Sequence, residues 1–88
     1  MDAIDSWRER IDAIDSQLVK LLNERARCAV EIGKVKTGRG MNIHNPEREK
    51  YILNRLKEMN LGPIDNGAIE RIFKRIIEEC RRIEITAL

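Results

Sequence analysis

The chain has 88 residues, a formal net charge of +2, 36% charged residues and 42% hydrophobic residues. This balance predicts one small folded domain and argues against an intrinsically disordered chain, and the net charge is too small to indicate a polyanionic partner by itself. Neither a secretory leader nor an apolar run long enough to span a bilayer is recognisable, so a cytoplasmic protein is expected.

The first predicted element is one long helix from about residue 4 to about residue 36. Asp2 or Asp5 is available as its N-cap, and no proline interrupts it. At about 1.5 Å per residue, such a helix is roughly 50 Å long. Its apolar residues recur at alternating steps of three and four: Ile4, Trp7, Ile11, Ile14, Leu18, Leu21, Cys28, Ile32 and Val35.

This helix is longer than the domain that should contain it. A compact chain of this length has a radius of gyration of about 12 Å and is roughly 30 Å across. In a monomer, much of the apolar stripe would therefore face water. The simplest cover is a second copy of the chain, so we predict a homodimer that shares this helix and whose monomer is not stable alone.

Two shorter helices are predicted after a loop that runs from Thr37 to His44. Asn45 and Pro46 begin the second helix, which continues to about Met59. Asp65 caps the third, which frays near Ala87. Residues predicted to be buried on the second helix are Ile52, Leu53, Leu56 and Met59, and the third presents Ile69, Ile72, Phe73, Ile76, Ile77, Cys80 and Ile83. Because apolar and polar residues nowhere alternate with period two, no strand is expected, and we predict an all-α fold with three helices per protomer.

The two cysteines, Cys28 and Cys80, form no CxxC motif and have no neighbouring histidine, so no metal site is expected. The two thiols could pair in principle. Both lie on apolar helical stripes, which favours buried and reduced side chains.

Polar residues interrupt the apolar stripes at Arg25 on the first helix and at Glu84 on the third. Lys36 follows Arg25 by eleven residues, about 20° around the helix and roughly 16 Å along it. Two cationic side chains on one face would suit a small dianion. Taken singly, these residues are better explained otherwise. Arg25 could snorkel, set register or pair with Glu24 or Glu31, and Glu84 could be solvated near a frayed end.

Two further charged residues have the same two interpretations. Glu49 could be ordinary surface charge that pairs with Arg48 or Lys50. Arg8 lies seventeen residues from Arg25, about 25 Å along the helix, so it could reach the same small ligand only from another protomer. Together, the polar residues predict a pocket for a small anion inside an aliphatic bundle.

The combined pattern resembles the all-helical chorismate mutases over nearly the whole chain. The segments that carry the resemblance are Arg8 to Asp15, Asn23-Glu24-Arg25, Glu31 to Lys36, Asn45 to Glu49, and Ile76-Ile77-Glu78. The resemblance implies that residues 1–88 form one chorismate mutase domain in an intertwined homodimer. It also implies an isomerase that converts chorismate to prephenate in phenylalanine and tyrosine biosynthesis, with no cofactor, no nucleic-acid partner and no membrane partner.

The same resemblance implies roles for particular residues. Arg25 of one chain and Arg8 of the other would bind the two substrate carboxylates, for which guanidinium groups are suited. Lys36 would donate to the enolpyruvyl carboxylate and to the ether oxygen of the breaking bond. Lys36, Glu84 and Arg25 are thus the expected catalytic residues.

The remaining expected contacts come from the second helix and the end of the third. Glu49 would accept a hydrogen bond from the ring hydroxyl, beside the backbone N–H of Asn45. Arg48 would hold this part of the site in place. Cys80 and Glu84 would complete the substrate-binding set.

Three residues depart from the usual family pattern. Asn45 replaces an aspartate, which weakens a side-chain role but keeps the N–H, and Cys80 replaces a serine, a better donor. Glu84 replaces a glutamine, although other family members also have glutamate there. Only the protonated form of Glu84 can donate to the ether oxygen, so we expect turnover to favour acidic pH.

Three other functions remain open at this stage. An isochorismate-pyruvate lyase would use similar cations on the same scaffold, and a non-catalytic helical adaptor would need none of these ligand contacts. Lys74-Arg75 and Arg81-Arg82 supply charge for nucleic-acid binding, but interspersed acids and the lack of a recognition motif disfavour it.

Overall fold

Residues 2–87 are described by the computed structural model, and they form three α-helices. The helices are α1 (Ala3–Gly38), α2 (Pro46–Met59) and α3 (Asn66–Thr86). No strand occurs within residues 2–87, so the predicted all-α class with one long N-terminal helix is confirmed. Within the same residues, no helix is long and apolar enough to cross a membrane.

Each helix begins at a residue whose side chain satisfies a backbone N–H of the first turn. Such caps stabilise a helix because its first N–H groups have no partner within it. The bonds are Ile4 to Asp2 at 3.1 Å, Arg48 to Asn45 at 3.1 Å, and Ala68 to Asp65 at 2.7 Å. All three starts therefore follow from the local sequence.

The C-terminal end of α1 lies at Gly38, slightly beyond the predicted end. Gly40 has a φ of 68°, and its N–H donates to the carbonyl of Thr37 at 3.1 Å. The N–H of Met41 donates to the carbonyl of Lys36 at 2.8 Å. This paired closure is a Schellman motif, which requires a positive φ and therefore favours glycine at position 40.

Helix α3 packs against both other helices and carries most of the buried side chains. Ile77 and Cys80 are the buried apolar residues among those described, and Ile52 of α2 is half-buried. The predictions that Met59 and Cys28 are buried are wrong for the single chain. Met59 lies in the last turn of α2, and Cys28 lies on the open cavity between the helices, where it remains exposed.

An ion pair also joins α2 to α3. The ammonium of Lys57 lies 2.8 Å from a carboxylate oxygen of Glu70. This hydrogen bond and the charge of Lys57 hold the pKa of Glu70 below its ordinary value. Because both side chains are partly exposed, the pair makes a modest contribution to holding the two helices together.

Most of the apolar stripe on α1 is exposed in the single chain. The molecule measures 56 × 26 × 15 Å and has a radius of gyration of 16.2 Å, against about 12 Å for a compact chain of this length. The exposed apolar side chains on α1 are Ile4, Trp7, Ile11, Ile14, Leu18, Val19, Leu21, Leu22, Ile32 and Val35. Helix α1 therefore extends well beyond the part of its own chain that can cover it.

A close approach of α1 to α3 occurs at Gly33, the one buried residue of α1. A Cβ atom built there would overlap Cγ of Glu84 and lie 3.3 Å from its carboxyl carbon. Glu84 itself is only 7% exposed. The absence of a side chain at Gly33 thus makes the space that Glu84 occupies.

We expect Gly33→Ala to lower the free energy of unfolding by up to about 2 kcal/mol. Overpacking against Glu84 costs about 1–3 kcal/mol, and the better helix propensity of alanine offsets about 1 kcal/mol of that. Urea unfolding at a fixed protein concentration measures the change. Gly38→Ala is the matched control, since it is helical and has no atom within 4 Å of the added Cβ. Equal behaviour of the two variants would contradict the tight packing at Gly33.

Candidate active site

An open cavity of about 370 Å³ lies between the C-terminal half of α1, the start of α2 and the C-terminal half of α3. Such a volume suits a small molecule. Its apolar lining consists of Ala29, Ile32, Ile43, Ile52 and Ile77, and its polar lining consists of Arg25, Lys36, Asn45, Arg48, Glu49, Arg81 and Glu84, with Cys28 and Cys80.

Helix α1 places two cations on the cavity, Arg25 and Lys36, which are both half-buried. Eleven residues of α-helix return nearly to the same face, so the two side chains point in similar directions. The ammonium of Lys36 donates to the carbonyl of Ile43 at 2.9 Å, which anchors it beside the loop. Glu31, one proposed partner of Arg25, is 3.3 Å from Lys34 instead.

The first turn of α2 contributes Asn45, Arg48 and Glu49. The side-chain oxygen of Asn45 is occupied as the cap of the helix, where it accepts from the N–H of Arg48. The guanidinium of Arg48 lies 5.0 Å from the ring centroid of Tyr51, a cation–π contact that orients it. Capping therefore accounts for the side chain of Asn45, while Glu49 extends toward α3.

Helix α3 contributes Cys80 and Glu84, which are one turn apart and are 6% and 7% exposed. The alternative that Glu84 is solvated near a frayed helix end is wrong. Helix α3 continues to Thr86, and Gly33 leaves room for the Glu84 side chain against α1. A carboxyl group is thereby held on the same cavity as Lys36 and Arg25.

Arg81 also lines the cavity, although the sequence indicated it only as charge that could serve nucleic-acid binding. One of its nitrogens, Nη1, lies 2.5 Å from Oε2 of Glu49. Nε2 of His44 lies 3.3 Å from the same oxygen. The spacing could have indicated this position, because Arg81 follows the buried Ile77 by one helical turn and so lies on the same face of α3.

Arg8 is the one predicted site residue that does not line the cavity. Its side chain is 72% exposed, and its guanidinium lies 3.9 Å from Asp5. The intervening length of α1, about 25 Å to Arg25, keeps it from the cavity of its own chain.

The cavity is suited chemically to a small anion that also carries a hydroxyl group. The cations Arg25, Lys36, Arg48 and Arg81 outnumber the acids Glu49 and Glu84 on its lining. Guanidinium and ammonium groups bind carboxylates, and a carboxylate can accept from a hydroxyl. The lining thus provides separate groups for anionic and for hydroxyl-bearing parts of a ligand.

Comparison with known proteins gives a consistent result across nearly the whole chain. The family model described as chorismate mutase type II matches residues 7–85. A bifunctional chorismate mutase/prephenate dehydratase from Pseudomonas aeruginosa is 38% identical over 88 residues, covering 94% of this chain and 24% of that protein. The chain spans about a quarter of the length of this relative and of three further bifunctional relatives.

Two solved structures have closely similar folds. Chorismate mutase (Form II) from Thermus thermophilus matches with a TM-score of 0.93 and 31% identity, covering 94% of each chain. Chorismate mutase from Helicobacter pylori, solved in complex with prephenate, matches with a TM-score of 0.88 and 26% identity, covering 96% of this chain and 91% of that one.

Proposed function

Because the chain belongs to the chorismate mutase type II family, we propose that it rearranges chorismate to prephenate. The observation that supports the proposal is the cavity, whose lining includes Arg25, Lys36 and Glu84 beside several apolar side chains. Residues 1–88 would form one chorismate mutase domain that requires no cofactor. A cytoplasmic location, as expected from the sequence, is part of the proposal.

We propose that the active unit is an intertwined homodimer with composite sites. The exposed apolar stripe on α1 supports this, since a second copy could cover it. The position of Arg8, outside the cavity of its own chain, also supports it. In such a dimer, Arg25 of one protomer and Arg8 of the other would each bind one carboxylate of chorismate.

The rearrangement is intramolecular, so it needs no nucleophile, acid or base from the protein. Catalysis would come from holding the substrate in a reactive conformation and from stabilising the negative charge that develops on the ether oxygen. Lys36 and the protonated form of Glu84 would donate to that oxygen. Glu49 would accept from the ring hydroxyl, and Asn45, Arg48 and Cys80 would complete the substrate-binding surface.

We expect the purified protein to consume chorismate and release prephenate, and Lys36→Met to reduce kcat/KM by about 10²–10³. Losses of this size are typical when a fixed donor to developing negative charge is removed. Loss of chorismate absorbance measures the rate, and product analysis identifies prephenate. Lys34→Met is the control, because Lys34 pairs with Glu31 on the surface. Salicylate formation from isochorismate, without prephenate formation from chorismate, would instead show a lyase.

A subunit-mixing experiment tests the composite site. We expect Arg8→Ala and Arg25→Ala each to lose about a hundredfold in activity, since removing one partner of a desolvated charge pair costs about 2–5 kcal/mol. When equal amounts are unfolded in urea and refolded together, half of the dimers are mixed, and each mixed dimer regains one intact site. Activity should therefore recover to about a quarter of the wild-type value.

Equal amounts of the two variants mixed without unfolding provide the control, because they should exchange subunits slowly. If each site used both arginines of the same chain, no combination would restore activity. An active protein that sediments as a single folded chain would also contradict the composite site.

We expect Glu84→Gln to retain or exceed the wild-type kcat/KM, because an amide donates to the ether oxygen, whereas a carboxyl group donates only in its protonated form. Loss of chorismate absorbance measures the rates, with Glu78→Gln on the exposed face of α3 as the control. A loss of more than about tenfold in Glu84→Gln but not in Glu78→Gln would contradict a donor role at position 84.

A further inference from the structure

Glu49 makes two contacts outside its own helix, and both involve one carboxylate oxygen. Oε2 accepts from Nη1 of Arg81 at 2.5 Å and lies 3.3 Å from Nε2 of His44. Arg81 comes from α3, and His44 comes from the loop that precedes α2. The carboxylate is therefore held where three parts of the chain meet.

The burial of this ion pair distinguishes it from the other arginine pairs of the chain. The side chains of Arg81 and Glu49 are 27% and 29% exposed, whereas the arginines that pair with Asp5, Glu78 and Glu79 are 70–75% exposed. A partly buried, charge-assisted hydrogen bond is stronger and less screened than a surface pair. The Arg81 contact can thus hold the flexible Glu49 side chain in one orientation.

The two carboxylate oxygens of Glu49 differ in their contacts. A carboxylate has two acceptor oxygens, and here Oε2 takes the contacts from Arg81 and His44. Within residues 2–87 no contact occupies Oε1, so it remains available to a donor in the cavity, which both Glu49 and Arg81 line. A fixed acceptor binds a hydroxyl better than a mobile one, because less conformational entropy is lost on binding.

We propose that Arg81 is a positioning residue, which holds Glu49 through Oε2 so that Oε1 accepts a hydrogen bond from the substrate hydroxyl. The inference rests on the proposed function, because it takes the hydroxyl-bearing ligand to be chorismate. Arg81 acts through Glu49 and makes no contact with the substrate itself. It therefore determines how well the hydroxyl end of the ligand is held.

The first test is Arg81→Met, which keeps the aliphatic stem and removes the charge. We expect KM for chorismate to rise about tenfold with kcat within about threefold, because a hydroxyl contact made in both the ground state and the transition state is uniform binding. Arg81→Lys should recover part of the loss, because it can still donate to Oε2. Arg82→Met is the matched control, since Arg82 is 75% exposed and lies 3.9 Å from Glu79.

The second test is a double-mutant cycle that combines Arg81→Met with Glu49→Ala. If Arg81 acts through Glu49, adding Arg81→Met to Glu49→Ala should change kcat/KM by less than about twofold. If Arg81 binds a substrate carboxylate directly, the two losses should multiply, and the proposal would be overturned. Arg81→Gln provides a second variant in case Arg81→Met does not fold.

The outcomes separate this inference from the proposed function. A wild-type protein that does not turn over chorismate would overturn both. A wild-type protein that is active, with Arg81→Met and Arg81→Gln indistinguishable from Arg82→Met, would overturn only the positioning role of Arg81.

Discussion

Most of the apolar stripe of helix α1 is not buried against its own chain, and the rest of the structure depends on how this stripe is covered. Helix α1 contains 36 of the 88 residues, and ten of its large apolar side chains are exposed. Fully burying one such side chain is worth about 1.5–3 kcal/mol. Covering the exposed halves of ten would therefore be worth on the order of 10 kcal/mol per chain, as large as the whole stability of many domains. A second copy of the chain is the cover that we propose.

The length of α1 also explains why Arg8 does not line the cavity of its own chain. Arg25 and Lys36 lie in the part of α1 that α3 covers, whereas Arg8 lies about 25 Å from Arg25 along the same rigid helix. A long straight helix cannot return its own start to its own cavity. In the proposed dimer, association through the apolar stripe would also bring Arg8 of the other protomer to the cavity.

Within one chain, two close contacts on α3 determine the polar half of the cavity. Gly33 lets the Glu84 side chain pack against α1, which keeps a carboxyl group buried beside the cations. One turn earlier, Arg81 binds Glu49 and ties α2 to α3. The Gly33–Glu84 contact is possible because glycine has no side chain. The Arg81–Glu49 contact is a partly buried ion pair. Both place an acidic group at a defined edge of the same cavity.

The sequence by itself determined the helices, because their causes are local. The spacing of apolar residues, the caps Asp2, Asn45 and Asp65, and the Gly40 closure lie within a few residues of the features they produce. The predicted length of α1, compared with the diameter of a compact chain of 88 residues, likewise indicated that the helix is too long for its domain. Resemblance to a family supplied the candidate ligand residues, which spacing alone left open to ordinary explanations.

Only the tertiary structure decided which polar residues share the cavity, because that depends on contacts between residues far apart in the chain. Glu84 is buried because Gly33, on another helix, leaves space for it. Arg81 reaches Glu49 across 32 positions of sequence, a pairing that no local pattern encodes. Met59 is exposed although it continues an apolar stripe, since periodicity identifies a face but not how far a neighbouring helix covers it.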